Sequence, residues 1–316
     1  MEKRLILFLI LSAVIFIGWS RFFAPQPETP RPGDKAALTT PSPSPSVAIT
    51  PETPKQAPPV LSTQPATQAE LRQIKVMTDY WVATLSNKGG VVTEWTMTRF
   101  PDGKAIDPPK GVNLISNELS QKIGAPLRFY IPSDTALENE LNSAAYNVEN
   151  LQDQEVTIKN GEKREIKFSY VNNGLEASKT IIFKGQGENS SGFDFDFVGS
   201  VRRNGNPVPA YIVIGPNFGD QNVKEVSSYK HAPQLTYAMT DGDVERKTAD
   251  SLKGGAHQTS LPVTWAAVDD NYFAMAFVPP QASPAVGLLN DKYVSVAVSL
   301  NDGAVNHVYA GPKDLS

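Results

Sequence analysis

The chain has 316 residues, 40% of them hydrophobic and 20% charged, with a net charge of −4. It is long enough for one large domain or two small ones with appendages. Its charge and scattered Lys and Arg exclude a basic nucleic-acid-binding surface, so no nucleic acid is expected as a partner. The absence of Cys excludes disulfides, thiolate metal sites and a Cys nucleophile.

Leu5 to Trp19 is almost wholly apolar, preceded by Lys3 and Arg4 and followed by Arg21. At ~1.5 Å per residue, a helix to Ala24 spans about 30 Å, the thickness of a bilayer core. The run leads into Trp19-Ser20-Arg21-Phe22-Phe23, which lacks the small residues of a cleavage site. We read residues 1–24 as an uncleaved transmembrane anchor. Basic residues on its two sides nearly balance. The N-terminus is placed in the cytoplasm because an exported tether and domain follow.

Residues 25–70 are rich in Pro, interleaved with Ser, Thr, Ala and Gln. Such a segment buries too little apolar surface to offset the entropy of ordering. It reads as a disordered, partly polyproline II linker with no binding role of its own.

Residues 71–316 form the predicted β domain. Asp79–Leu85, a turn at Gly89-Gly90 and Val91–Phe100 read as strand, turn, strand. Strict alternation puts Val91, Trp95 and Met97 on one face and Val92, Glu94 and Thr96 on the other. Ile166, Phe168 and Tyr170 share a face, and Phe193, Phe195 and Phe197 point inward with Asp194 and Asp196 outward. Further strands are predicted at 179–183, 211–214, 263–268, 272–278, 293–300 and 307–309. Short helices are predicted over 136–146 and 68–74. Many short strands between Gly, Pro, Asn and Asp turns indicate a mainly β, antiparallel sandwich-type fold. No apolar run of membrane-spanning length follows Trp19, so this chain is read as single-pass.

Candidate chemistry is sparse. His231, His257 and His307 lie in no metal-ligand spacing, and no metal or cofactor is expected. On a strand, Asp194 and Asp196 would stand about 6.8 Å apart, a separation that suits glycosidase-like carboxylates. The plainer reading makes them the solvent face of an amphipathic strand. Trp81 and Trp265 read as core residues, and no catalytic residues are assigned.

Four stretches carry a resemblance. They are Asp79-Tyr-Trp-Val-Ala-Thr-Leu-Ser-Asn-Lys-Gly-Gly-Val91, Leu175-Glu-Ala-Ser-Lys-Thr-Ile-Ile-Phe183, Trp265-Ala-Ala-Val-Asp-Asp-Asn-Tyr-Phe-Ala274 and Tyr309-Ala-Gly-Pro-Lys313. In this order, behind a short anchor, they resemble the large periplasmic domain of the bacterial membrane protein insertase YidC family. The matching signature positions, read as structural, are Gly89, Gly90, Trp265, Tyr272, Phe273, Tyr309, Gly311, Pro312 and Lys313.

The resemblance implies a β-supersandwich similar to galactose mutarotases, in an inner-membrane protein whose domain is periplasmic. It implies the lipid bilayer, nascent inner-membrane proteins and the Sec translocon with its accessory subunits as partners. The family's insertion activity resembles a hydrophilic-groove mechanism in a helix bundle that follows Tyr-x-Gly-Pro-Lys. That bundle has no counterpart here, so the sequence is expected to be an N-terminal fragment or the product of a split or truncated gene, acting as anchor and docking scaffold. The alternatives are a tethered carbohydrate- or peptide-binding module, marked by exposed aromatics in a groove, and an aldose-epimerase-like enzyme. The enzyme would need a His beside a carboxylate in a cleft.

Overall fold

The computed structural model describes residues 69–107, 110–149, 151–221, 232–253, 255–290 and 292–313. The predicted anchor, His231 and nearly all of the predicted linker lie outside them. No helix among the described residues is long and apolar enough to cross a membrane.

In chain order the strands are β1 (Gln73–Met77), β2 (Trp81–Ser86), β3 (Val91–Met97), β4 (Val112–Ile115), β5 (Phe129–Tyr130), β6 (Asn147–Glu149) and β7 (Glu155–Thr157). Then come β8 (Lys163–Asn172), β9 (Leu175–Lys184), β10 (Asp194–Arg203), β11 (Asn206–Pro207), β12 (Tyr211–Ile214), β13 (Gln234–Met239) and β14 (Val244–Lys247). The last are β15 (His257–Gln258), β16 (Val263–Asp269), β17 (Phe273–Val278), β18 (Ala285–Asn290), β19 (Tyr293–Ser299) and β20 (Val305–Pro312). They build a ten-stranded sheet in the order β14-β13-β16-β17-β20-β10-β9-β8-β6, with β11 beside β10. Two five-stranded sheets accompany it, β4-β3-β2-β1-β7 and β15-β18-β19-β12-β5. Pairing is antiparallel except between β1 and β7.

One face of the large sheet is buried under the two smaller ones. Phe183 and Phe195 of the large sheet meet Trp81 and Trp95, with ring centroids 5.4 Å (Trp81–Phe183) and 5.9 Å (Trp95–Phe195) apart. At the other half, Leu235, Val268, Met275 and Phe277 share the core with Ile212, Val294, Val296 and Val298. Gly287 of β18 lies so close to Leu235 that an added Cβ would sit 2.7 Å from its side chain. Strands with one buried face alternate, and β9 shows this best: Leu175, Ala177, Lys179, Ile181 and Phe183 all point inward. The predicted antiparallel sandwich is what the sequence forms.

Several local expectations need correction. The segment predicted as a helix over 68–74 instead enters β1, because Ile74 and Val76 alternate inward and Gln73 to Met77 pair with Ser86 to Val82. The facing assignment of β3 also fails. Thr84 pairs with Glu94 and Leu85 with Val92, so Thr93 is an extra residue, a β-bulge. A one-residue insertion inverts the faces beyond it. Val92 therefore joins Trp95 and Met97 in the core, whereas Val91 lies outside that cluster.

The helix predicted over 136–146 forms at Thr135–Ser143, capped by Asp134, whose Oδ1 accepts from the Leu137 amide at 2.9 Å. A seven-residue helix, Asn117–Ile123, was not predicted. It buries only Leu119 and Ser120, too little for a sequence period to show, and is held by the Ser116 cap. Finally, Asp194 is buried rather than solvent-facing. The Ser190-Ser191 turn folds over its carboxylate, which accepts from the Ser191 amide and from both serine hydroxyls at 2.9–3.0 Å.

Candidate functional site

The four sequence stretches meet in two pairs. The first pair joins the β2–β3 turn to β9. Lys179 points into the core with no solvent exposure. Its Nζ donates to the Gly89 carbonyl and to the Leu127 carbonyl, each at 2.6 Å. It also lies 4.2 Å from the centre of the Phe129 ring. Burial, and then the neighbouring Arg128 charge, push the Lys179 pKa well below the ordinary lysine value. The amine is thus a buried staple tying one sheet to the other and to the 125–129 loop.

Gly89 and Gly90 make this approach possible. Both are left-handed, with φ of 75° and 59°. A Cβ on Gly89 would stand 2.8 Å from the Asn142 carbonyl oxygen, and one on Gly90 3.3 Å from Phe168. Asn87, just before them, is buried. It donates to the Glu70 and Tyr146 carbonyls at 2.9 Å each and accepts from the Arg72 amide at 2.8 Å. Gly103 offers a control: its φ is 81°, but nothing lies within 4 Å of an added Cβ. Gly103→Ala should cost about 1 kcal/mol for the left-handed backbone alone. Gly89→Ala should cost about 2–4 kcal/mol, since the backbone neighbour cannot yield. Urea melts of the two variants check this, and equal costs would show that the close approach is relieved by relaxation.

The second pair joins the β16–β17 turn to the end of β20. Lys313 Nζ meets Asp269 Oδ2 at 2.6 Å and donates to the Asp270 carbonyl at 2.9 Å. Asp270 is buried, and its Oδ1 accepts from the Tyr272 and Phe273 amides at 2.8 Å each. The Lys313 amide in turn donates to the Tyr272 carbonyl at 2.8 Å. Tyr272 contributes its backbone here, and its side chain is 64% exposed. Phe273 is buried and pairs with Pro312. Gly311 passes so close to Phe193 that a Cβ would stand 2.9 Å from that side chain, and the Tyr309 hydroxyl donates to the Pro312 carbonyl. Trp265 is half-buried and lies on the face opposite Ala266 and Val268. Of the two candidate binding tryptophans, Trp81 is fully buried and Trp265 is not.

The histidines bear on the enzyme alternative. His307 Nδ1 lies 3.3 Å from Asp196 Oδ1, but Lys184 Nζ holds that same oxygen at 2.7 Å. Burial alone would raise the Asp196 carboxyl. The hydrogen bonds from Lys184 and His307 outweigh it and keep the group below the ordinary carboxylate range. His257 Nε2 lies 3.4 Å from the Tyr237 hydroxyl, which donates to Glu245 at 2.8 Å. So each described histidine has a carboxylate within one or two contacts. Neither borders the cavity of about 520 Å³ that opens between β2–β3 and the Asn117–Ile123 helix.

Among the described residues no group of His, Asp and Glu is placed to hold a metal ion. The residues that sequence reasoning missed are Asn87, Arg128, Lys179 and Asp270. For Lys179 a signal was present, a cation in the inward frame of an alternating strand.

The described residues form an antiparallel β-supersandwich in which one motif pair joins two sheets and the other closes the β16–β17 end of the large sheet. Residues 73–316 match the family model described as the YidC periplasmic domain. The chain belongs to that family. It is 27% identical over 332 residues to a membrane protein insertase YidC from Geobacter metallireducens, covering 100% of this chain and 58% of that protein. A YidC from Maridesulfovibrio salexigens is 22% identical over 301 residues, covering 95% and 53%. The chain thus spans little more than half the length of these relatives.

Among solved structures it is similar to a galactose mutarotase related enzyme from Lactobacillus acidophilus, with TM-score 0.44, 9% identity and coverage of 75% of this chain and 97% of that one. It is likewise similar to a putative aldose 1-epimerase from Escherichia coli, with TM-score 0.40, 9% identity and coverage of 78% and 100%.

Proposed function

We propose that this chain is the anchor and periplasmic docking scaffold of an inner-membrane protein insertase, and that it performs no catalysis itself. Residues 1–24 would span the membrane with the N-terminus cytoplasmic, and 25–70 would tether the 71–316 domain in the periplasm. The match of 73–316 to the YidC periplasmic domain carries this reading. The signature residues suit a scaffold: Gly89 and Gly90 lie where two sheets meet, and the others close the β16–β17 end of the large sheet. Its partners would be the bilayer, nascent inner-membrane proteins, and the Sec translocon with its accessory subunits.

Leu71, Phe100, Tyr272 and Val305 are among the exposed apolar side chains. Exposed apolar residues that are far apart along the chain suit weak, local contacts in this reading. The test places a photo-crosslinking amino acid at Tyr272, Phe100 and Val305 of the full-length insertase in inner membranes. Adducts with translocon subunits or with a radiolabelled client are expected from at least one position. A domain that crosslinks to neither, while the membrane-embedded part of the same protein does, would count against the docking role.

A further inference from the structure

The cavity of about 520 Å³ noted above has a volume in the range of small-ligand sites. Its charge is one-sided. Among the described residues that line it are Lys88 and Arg128, with the amides Asn117, Gln121 and Asn142, and no Asp or Glu.

Arg128 is the unusual member. Its guanidinium packs against Gly124, where a Cβ would stand 3.0 Å from Cδ and 3.1 Å from Nε. Nη1 is buried and has no hydrogen-bond partner. The carboxylate that acts on Arg128 is Glu138, which raises its pKa, yet burial outweighs it and pulls the pKa down. Glu138 Oε2 is turned elsewhere, accepting from the Ile131 amide at 2.7 Å. A second amine, Lys179, lies behind Arg128 close enough to be repelled by it.

Leaving a buried guanidinium nitrogen unpaired is costly, and native proteins rarely do so without a ligand or water to satisfy it. The cavity wall supplies cations and amides, and the one carboxylate acting on Arg128, Glu138, is not among its lining residues. We propose that this cavity binds a small phosphate-bearing anion, with the Arg128 fork turned onto two of its oxygens and Lys88 as a point charge at the mouth. Phosphate suits the pair because a planar fork and a mobile ammonium together serve a group with three free oxygens, where a lone carboxylate would use the fork only. The phosphate can be free in solution or the headgroup of an anionic phospholipid.

The experiment follows the Arg128 Nε–Hε signal by NMR in the full chain, reconstituted in nanodiscs. In neutral phosphatidylcholine discs, inorganic phosphate and glycerol 3-phosphate are titrated in. A second set of discs contains phosphatidylglycerol and no soluble phosphate. A saturable shift with the soluble phosphates supports a free ligand, and a shift confined to the phosphatidylglycerol discs supports a headgroup.

Arg128→Gln, in which binding is read from the side-chain amide signal of Asn142 on the same cavity wall, should weaken binding by about tenfold or more, since a charge-assisted fork is lost. Because that variant can fail to fold, Gln121→Glu is the second probe. Gln121 is exposed and bonds only to Asn117 within its own helix, so a carboxylate there repels the anion without disturbing the core. It should also weaken binding about tenfold. The proposal is overturned if neither set of discs shifts the signal, or if Gln121→Glu binds as the wild type does.

Discussion

Lys179→Met is expected to remove much of the pH dependence of stability in the range just below 10.5, the ordinary lysine value. In the folded chain the Lys179 pKa is pushed well below its ordinary value of 10.5, by burial first and by Arg128 second. The unfolded chain therefore holds a proton that the folded chain has released. Stability must rise with pH wherever the unfolded state binds more protons. The contribution is complete above the unfolded lysine value and is eroded as pH falls toward the folded one, by at most about 1.4 kcal/mol per pH unit.

Methionine fills nearly the same volume and does not titrate, so its stability should lack this slope. It also strands the Gly89 and Leu127 carbonyls that Nζ satisfied. Each buried acceptor left unpaired costs about 1–3 kcal/mol. At pH 10 the variant should therefore be the less stable protein by about 2–5 kcal/mol. As pH falls below the ordinary lysine value the gap should narrow, because the wild type must then give up a proton to fold. Denaturant melts of both proteins across this range read the difference directly. Parallel curves would mean that Lys179 keeps its proton inside the fold.

The same residue shows where the sequence is readable and where it is not. Period-2 alternation located β2, β3, β8, β9 and β10, because each has one face on the core. In β9 the alternation is unbroken from Leu175 to Phe183, and it passes through Lys179. A cation at an inward position announces a buried polar contact, but its partners are set by tertiary structure. They lie 90 and 52 residues away, in the β2–β3 turn and the 125–129 loop. The bulge at Thr93 leaves no local mark either: the run Val91-Val92-Thr93 supports either facing, and pairing with Thr84 and Leu85 decides it.

Asp194 is the converse case. Alternation put it outward correctly, yet a turn closes over that side and buries it. The pairing of the four motifs into two junctions was legible only as order along the chain. Arg128 stood in no motif, and its unpaired nitrogen becomes visible only once the loop is folded.

The core junction that Trp81 forms should be the most costly place to cut. Its indole stacks on Trp95 at 4.3 Å between centroids and tilts against Phe183 at 5.4 Å. Its Nε1 donates to the Gly192 carbonyl at 2.7 Å, just before β10. One side chain thus binds the first five-stranded sheet to the large sheet through both apolar area and a hydrogen bond. Trp81→Ala should cost about 3–5 kcal/mol, from lost burial and an incompletely collapsed cavity, and somewhat more for the stranded carbonyl. That is a large share of the ~5–15 kcal/mol that holds a typical domain folded.

Trp81→Phe separates the two contributions. It keeps most of the ring contact and forfeits the Nε1 bond, so a cost of about 1–3 kcal/mol is expected. Limited proteolysis gives the spatial readout. If Trp81 joins the sheets, Trp81→Ala should expose cleavage sites in both β1–β3 and β8–β10, whereas Trp81→Phe should leave the protection pattern of the wild type. Cleavage confined to β1–β3 would show that the large sheet stands without its cover, and that the two layers fold as separate units.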